Sequence, residues 1–387
     1  MEELMDRIYL DYAATAPVLP EVLNAMLPFF TSAFGNPSGI HANGRETRKA
    51  VEHARRQTAK VLGAESREIC FTSGGSESNN FAVKGTAFAL REKGNHIITS
   101  QIEHPSVLNT CRWLEKHGFR ITYLPVDPDG TVDPESVREA ISPETILVSV
   151  MTANNEIGTV QPVARIGEIC REKGVIFHTD AVQAVGMLKT DVREMNADLM
   201  SLSAHKFHGP KGTGALYIRT GVRVDPVIHG GSQERGLRAG TENVPGIVGL
   251  GKAIETAESE REENAARISG LRDLLISRIA GSIPGARLNG HSERRLPNNC
   301  HFSFSGIESE ALVLRMDLAG VSVSGGSACT SGSMEPSHVL QAIGLKNVML
   351  RGGIRMTLGR ETTRDEIEKA AQLLTEIVGD LRKLRGL

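Results

Sequence analysis

From about residue 45 to residue 255 the chain alternates amphipathic stretches with short apolar runs, and this alternation limits the possible folds more than any other feature. RETRKAVEHARRQTAKVL, SVLNTCRWLEKH and VARIGEICREKG carry apolar residues at helical spacing, whereas NHIITS, RITYLPV, TILVSVM, VIFHTD, DLMSLS and GALYIR are strand-length. TILVSVM and VIFHTD are almost wholly apolar or β-branched. Strands without a polar face must be covered on both sides, which calls for a largely parallel sheet with helical crossovers and predicts an α/β class. A long charged, helix-compatible region follows (KAIETAESEREENAARISGLRDLLISRIAG), then strand candidates NCHFSF and GIRMTL and a closing helix from about Thr363 to Leu384. These predict a second, smaller α+β domain. The 387 residues exceed the roughly 300 at which single cores stop growing, so a cleft between two domains is expected.

The 44 basic and 46 acidic residues leave a formal charge of -2 with no basic block, which argues against nucleic acid or an anionic membrane as partner. No run approaches the roughly 20 apolar residues of a membrane span, and MEELMDRIYLDYAAT lacks a basic start followed by an apolar stretch. A cytoplasmic protein is expected. The five cysteines are odd in number, widely spaced and without C-x-x-C, which disfavours a disulfide framework or a zinc knuckle.

Several stretches could carry chemistry. FTSGGSESNN places Gly74, Gly75 and Ser76 where a strand turns into a helix, and free amides there could face an anion, although a plain turn reads the same. Asp180 ends the apolar run VIFHTD, at the carboxyl edge of a sheet where ligands bind; a helix cap is the alternative. SLSAHKFHGPKG gathers Ser203, His205 and Lys206, two anion-capable groups and an amine able to form a Schiff base. His205 and His208 lack a local carboxylate or cysteine to complete a metal set, and no resident metal is expected. Cys70, Cys111, Cys170 and Cys300 sit in apolar or helical patterns as small hydrophobes. Cys329, among small polar residues in VSVSGGSACTSGSMEPS, has the access a nucleophile needs, with an incidental exposed thiol as the alternative.

Taken together, LDYAATAP, GNPSGIH, FTSGGSESNN, EHPSVL, TANNEIGTVQPV, HTDAVQAVG, SAHKFHGPKG, RAGTEN, GSACTSGSMEPSHVL and IRMTLGR resemble the cysteine desulfurases of the NifS/IscS type, in the class-V branch of the fold-type-I pyridoxal-phosphate (PLP) enzymes. The resemblance covers nearly the whole chain. Tyr12 stands where the family more often has asparagine and Ser76 where many members have threonine, and neither change removes a needed group. The resemblance implies the PLP-dependent transferase fold of type I: a large domain, residues 15–256, on a mainly parallel seven-stranded sheet, and a small domain from 1–14 and 257–387. The small domain would carry a loop at about 321–335 with Cys329.

The implied cofactor is pyridoxal 5'-phosphate, with Lys206 holding it as a Schiff base, Asp180 pairing with its ring nitrogen and His104 stacking on the ring. Gly75, Ser76, Ser203 and His205 would bind its phosphate, Asn155 and Gln183 its ring hydroxyl oxygen, and Thr241 the phosphate in a neighbouring subunit, which implies a homodimer. Asn36 and Arg355 resemble a clamp for the substrate carboxylate. The implied reaction converts L-cysteine to alanine, with Lys206 and His104 moving protons and Cys329 taking the sulfur as a persulfide for an iron–sulfur scaffold or another acceptor. Cys329 could also ligate an iron–sulfur cluster transiently. The end at RKLRGL, short of the extension that housekeeping members use for docking, favours a NifS-type role. A selenocysteine lyase, another class-V aminotransferase and a catalytically silent scaffold remain alternatives.

Overall fold

The computed structural model describes residues 7–325 and 336–385. Among the described residues the strands are β1 (Ile8–Tyr9), β2 (Ile69–Thr72), β3 (His96–Ser100), β4 (Arg120–Leu124), β5 (Thr145–Ser149), β6 (Ile176–Asp180), β7 (Leu199–Ser203), β8 (Gly214–Ile218), β9 (Ala286–Leu288), β10 (Asn299–Phe304), β11 (Val321–Ser322) and β12 (Gly353–Thr357). The central sheet runs in the order β2-β8-β7-β6-β5-β3-β4, and its pairings are parallel except for those that β8 makes with β7 and β2. β3, β5 and β7 are buried along their whole length, as two-sided coverage by helices requires. This agrees with the α/β reading.

Helix Ala42–Leu62 shows why the amphipathic pieces start and stop where they do. The His41 side chain accepts from the Gly44 amide at its start, and Gly63, at φ 66°, ends it in the left-handed conformation. A further three-stranded antiparallel sheet, β12-β10-β9, includes both strand candidates of the C-terminal part, and the closing helix Arg364–Leu384 begins on a capping box from Thr363 and Glu366. One apolar core joins Leu19, Phe177 and Met200 to Ile254, while another joins Ile8 and Leu10 to residues from Ile268 to Val378.

One reading is refined and another needs correction. The long charged region is two helices, Val244–Ser259 and Arg261–Ser282, broken at Glu260. The polar stretch expected to be a loop from about 321 instead begins as strand: Val321 and Ser322 pair in parallel with β1, and Ser324 bridges to Arg355. Backbone pairing with a distant segment outweighs its glycine- and serine-rich composition. Cys329 lies outside the described residues. Among the described residues no helix is long and apolar enough to cross a membrane.

Candidate active site

The carboxyl ends of the central strands border a cavity of about 560 Å³. Each strand end delivers a polar group because its chain must turn there. β6 ends in the buried Asp180, whose Oδ1 accepts from the Val182 amide at 3.0 Å, so the carboxylate that borders the cavity also holds a local turn rather than the helix cap offered as the alternative. β7 ends in Ser203 and passes through a short turn, Ala204–Lys206, that sends Lys206 into the cavity. The Lys206 ammonium donates to the carbonyls of Ala13 (2.5 Å) and Ala14 (2.8 Å), and Gln183 Nε2 donates to the same Ala13 carbonyl at 3.0 Å. After β3, His104 caps helix Pro105–Glu115, with proline at the first helical position.

The lining therefore brings together Gly75, Ser76, His104, Asn155, Asp180, Gln183, Ser203, His205, Lys206 and Arg355. Gly75 is required sterically: a Cβ there would stand 2.7 Å from Val182 Cγ2. Asn36 and Thr241 are exposed and are not among the residues lining the cavity of their own chain; the Asn36 side-chain oxygen instead accepts from the Ser38 amide at 2.9 Å.

Arg355 comes from the other sheet. Although buried in β12, its Nη2 donates to Asp11 Oδ1 at 2.8 Å and its Nη1 to the Asn155 carbonyl at 3.0 Å. The described residues on either side of the Cys329 segment also stand here: Ser324 is bonded through its backbone to Arg355, while Pro336, Ser337 and His338 line the cavity. Ser337 donates to Glu156 Oε2, and His338 Nε2 donates to the Glu103 carbonyl at 3.0 Å.

Burial favours the neutral form of His104 and His205. It holds His104 below its ordinary value, helped by the neighbouring Lys206 and His338 and opposed by Asp180. His205 is lowered to about 4 by burial and by Lys206 and Lys211. Glu103, wholly enclosed, is pushed up to about 8 by burial; its Oε1 accepts from Ser100 Oγ and the Met151 amide. The four described cysteines are buried, and burial raises every one of their thiols, Cys111 and Cys300 to about 12. None is available as a nucleophile.

Sequence reasoning missed Asn79, Ser106, Glu103, Glu156 and the segment 336–338. Ser106 and Glu103 flank His104 inside EHPS, so a search for partners of His104 within two residues would have found them. Nothing local marks Glu156 or Asn79.

The architecture is that of the fold-type-I PLP-dependent transferases: an open, mainly parallel sheet with a lysine and an aspartate at its carboxyl edge. Within that class, the profile described as Aminotransferase class-V matches residues 8–370, and the chain belongs to this family. It is 54% identical over 383 residues to a cysteine desulfurase IscS of Clostridium botulinum strain Hall, covering 98% of this chain and 96% of the relative. A solved structure described as a NifS-like protein superposes with a TM-score of 0.91 at 39% identity, covering 97% of this chain and all of that one. Another, SspA in complex with cysteine, gives a TM-score of 0.81 at 41% identity over 91% of this chain and 98% of its own. The resemblance read from the motifs is borne out.

Proposed function

We propose that the chain is a PLP-dependent cysteine desulfurase, converting L-cysteine to L-alanine and transferring the sulfur to Cys329 as a persulfide. The observation that carries this reading is the single cavity in which Lys206, Asp180, His104 and Arg355 meet, in a chain 54% identical to a cysteine desulfurase over 98% of its length.

The cavity residues fit the cofactor. Gly75 leaves room where any side chain would strike Val182, Ser76 and Ser203 bring hydroxyls to the same end, and Asp180 and Lys206 supply an acceptor and an amine. PLP, when bound, supplies an electron sink that allows the carbon–sulfur bond to break. Lys206 would hold the cofactor through its ε-amino group and, once released, move the Cα proton. Asn155 and Gln183 would orient the ring, and Arg355 would take the substrate carboxylate in place of Asp11. The Cys329 thiolate would attack the substrate sulfur, forming the sulfur–sulfur bond as the carbon–sulfur bond breaks, and the substrate carbon would be protonated to give alanine.

The enzyme would work in the cytoplasm as a homodimer, with Thr241 reaching the partner's cofactor, and would pass sulfur to an iron–sulfur scaffold or another acceptor. Support for a dimer comes from an apolar run of exposed side chains, Leu23, Leu27, Phe30, Phe34 and Ile40, the last 90% exposed. In functional terms the chain divides into residues 15–256, which hold the cofactor, and the remainder, which carries Arg355 and Cys329.

Alanine and sulfide are to be measured anaerobically from L-cysteine with a thiol reductant. Wild type should yield equal amounts; Cys329→Ala should stay yellow but inactive, and Lys206→Ala should lose both colour and turnover. Undiminished sulfide from Cys329→Ala would overturn the persulfide step, and transamination without sulfide would make the chain an aminotransferase.

A further inference from the structure

Asp180 and His104 follow different strands, yet two side chains without an assigned role connect them. The Asn79 carboxamide nitrogen lies 2.6 Å from Asp180 Oδ2 and 2.8 Å from Ser106 Oγ. Ser106 Oγ is in turn 2.7 Å from His104 Nδ1, and the Ser106 backbone amide donates to that same nitrogen at 3.1 Å. Asn79 is 1% exposed, and its carboxamide oxygen has no hydrogen-bond partner among the described residues.

The chemistry at the two ends of this chain fixes the direction of each hydrogen bond. A carboxylate only accepts, so the Asn79 atom facing Asp180 must be the NH2 group; turned over, the amide oxygen would meet a carboxylate oxygen at hydrogen-bond distance. The second Asn79 hydrogen goes to Ser106 Oγ and occupies a lone pair there. The hydroxyl hydrogen is thereby left to point at His104 Nδ1. At the other end the Ser106 backbone N–H, which cannot reverse its role, converges on Nδ1 as well. A ring nitrogen that accepts carries no hydrogen, so the hydrogen of neutral His104 resides on Nε2.

We propose that Asn79 and Ser106 are positioning residues that lock the neutral His104 ring as its Nε2–H tautomer, so that His104 meets its ligands as a hydrogen-bond donor. The lock also resists charging, because a proton added at Nδ1 would face two donors already aimed there. The charged and titratable groups around the ring are Asp180 after β6, Lys206 after β7, His338 at the start of helix His338–Ala342, and the adjoining Glu103. All of them remain in a Ser106 variant, so such a variant isolates the hydroxyl. The proposal rests on the reading of this cavity as an active site only for its kinetic readout.

The test uses the holoenzyme labelled with 15N-histidine, with His104 assigned as the ring pair lost in His104→Gln. The expected spectrum shows a bare Nδ1 and a protonated Nε2 in wild type, a mixture of tautomers in Ser106→Ala, and recovery in Ser106→Thr, which restores the hydroxyl. In parallel, the acid limb of kcat/KM for L-cysteine should move to higher pH in Ser106→Ala, by up to about one unit, and return in Ser106→Thr. A protonated Nδ1 in wild type, or the same tautomer in wild type and Ser106→Ala, would overturn the proposal. The spectra decide this even if L-cysteine is not the substrate, so failure of the lock and failure of the desulfurase reading remain separate results.

Discussion

Arg55 and Arg355 are both buried, yet they serve the molecule in opposite ways. Arg55 donates through Nη1 and Nη2 to both oxygens of Glu234, at 2.7 and 2.8 Å, with further bonds to the Ile69 carbonyl and Glu52. Glu234 also accepts from the Phe71 amide, and Arg55 lies over the Phe71 ring, so the pair is closed on itself and ties β2 to a distant loop. The pairing also holds Glu234 at φ 46°, a left-handed conformation that a non-glycine residue seldom adopts. Arg355 has a one-point contact with Asp11, whose side chain keeps 18% of its exposure, and it borders a cavity. Burial of a charge therefore does not distinguish structure from function; what distinguishes them is whether its carboxylate partner is sealed in or can be exchanged for a ligand.

The comparison breaks if the two arginines fail alike. Arg55→Ala should cost about 3–5 kcal/mol of stability, read as a lower urea midpoint, because it strands Glu234 as an unpaired buried charge, while KM for L-cysteine stays near wild type. Arg355→Ala should instead raise KM roughly 100-fold, the loss of two charge-assisted hydrogen bonds worth about 3 kcal/mol together, with a smaller loss of stability because Asp11 reaches solvent. A large KM effect at Arg55, or none at Arg355, would reverse the assignment.

Glu103 sharpens the same point as a buried acid that avoids charge altogether. Its folded value is raised from 4.5 to about 8, so between these values the folded chain holds a proton that the unfolded chain has released. Stability from this group is therefore full below about pH 4.5 and is lost as pH rises toward 8. Glu103→Gln should remove that slope, gaining on wild type with increasing pH by at most about 1.4 kcal/mol per unit in urea unfolding. An unchanged pH dependence would mean that Glu103 is charged in the fold.

Much of the central sheet could be read directly. Strands buried on both faces have no polar alternation, so TILVSVM and VIFHTD announced themselves, and Asp180 and Lys206 could be placed because each follows such a run. The break at Glu260 was less legible, since charged residues on both sides suit a helix and only packing against two different cores separates them. β1 and β11 are too short to signal anything locally; their pairing, Ile8 with Val321, exists only once the N-terminal segment meets the C-terminal part of the chain.

By itself the sequence determined the fold class, the family and the residue types available for chemistry, because hydrophobic period and motif spacing are local properties of a chain. Tertiary structure alone decided which of those residues share a cavity: it brought Arg355 to Asp11 and Asn155, joined Asp180 to His104 through Asn79 and Ser106, and left Asn36 and Thr241 outside their own chain's site. The reason is physical. Hydrogen-bond direction, burial and the pKa shifts they produce depend on neighbours within a few ångströms, and here those neighbours come from segments as much as 344 positions apart.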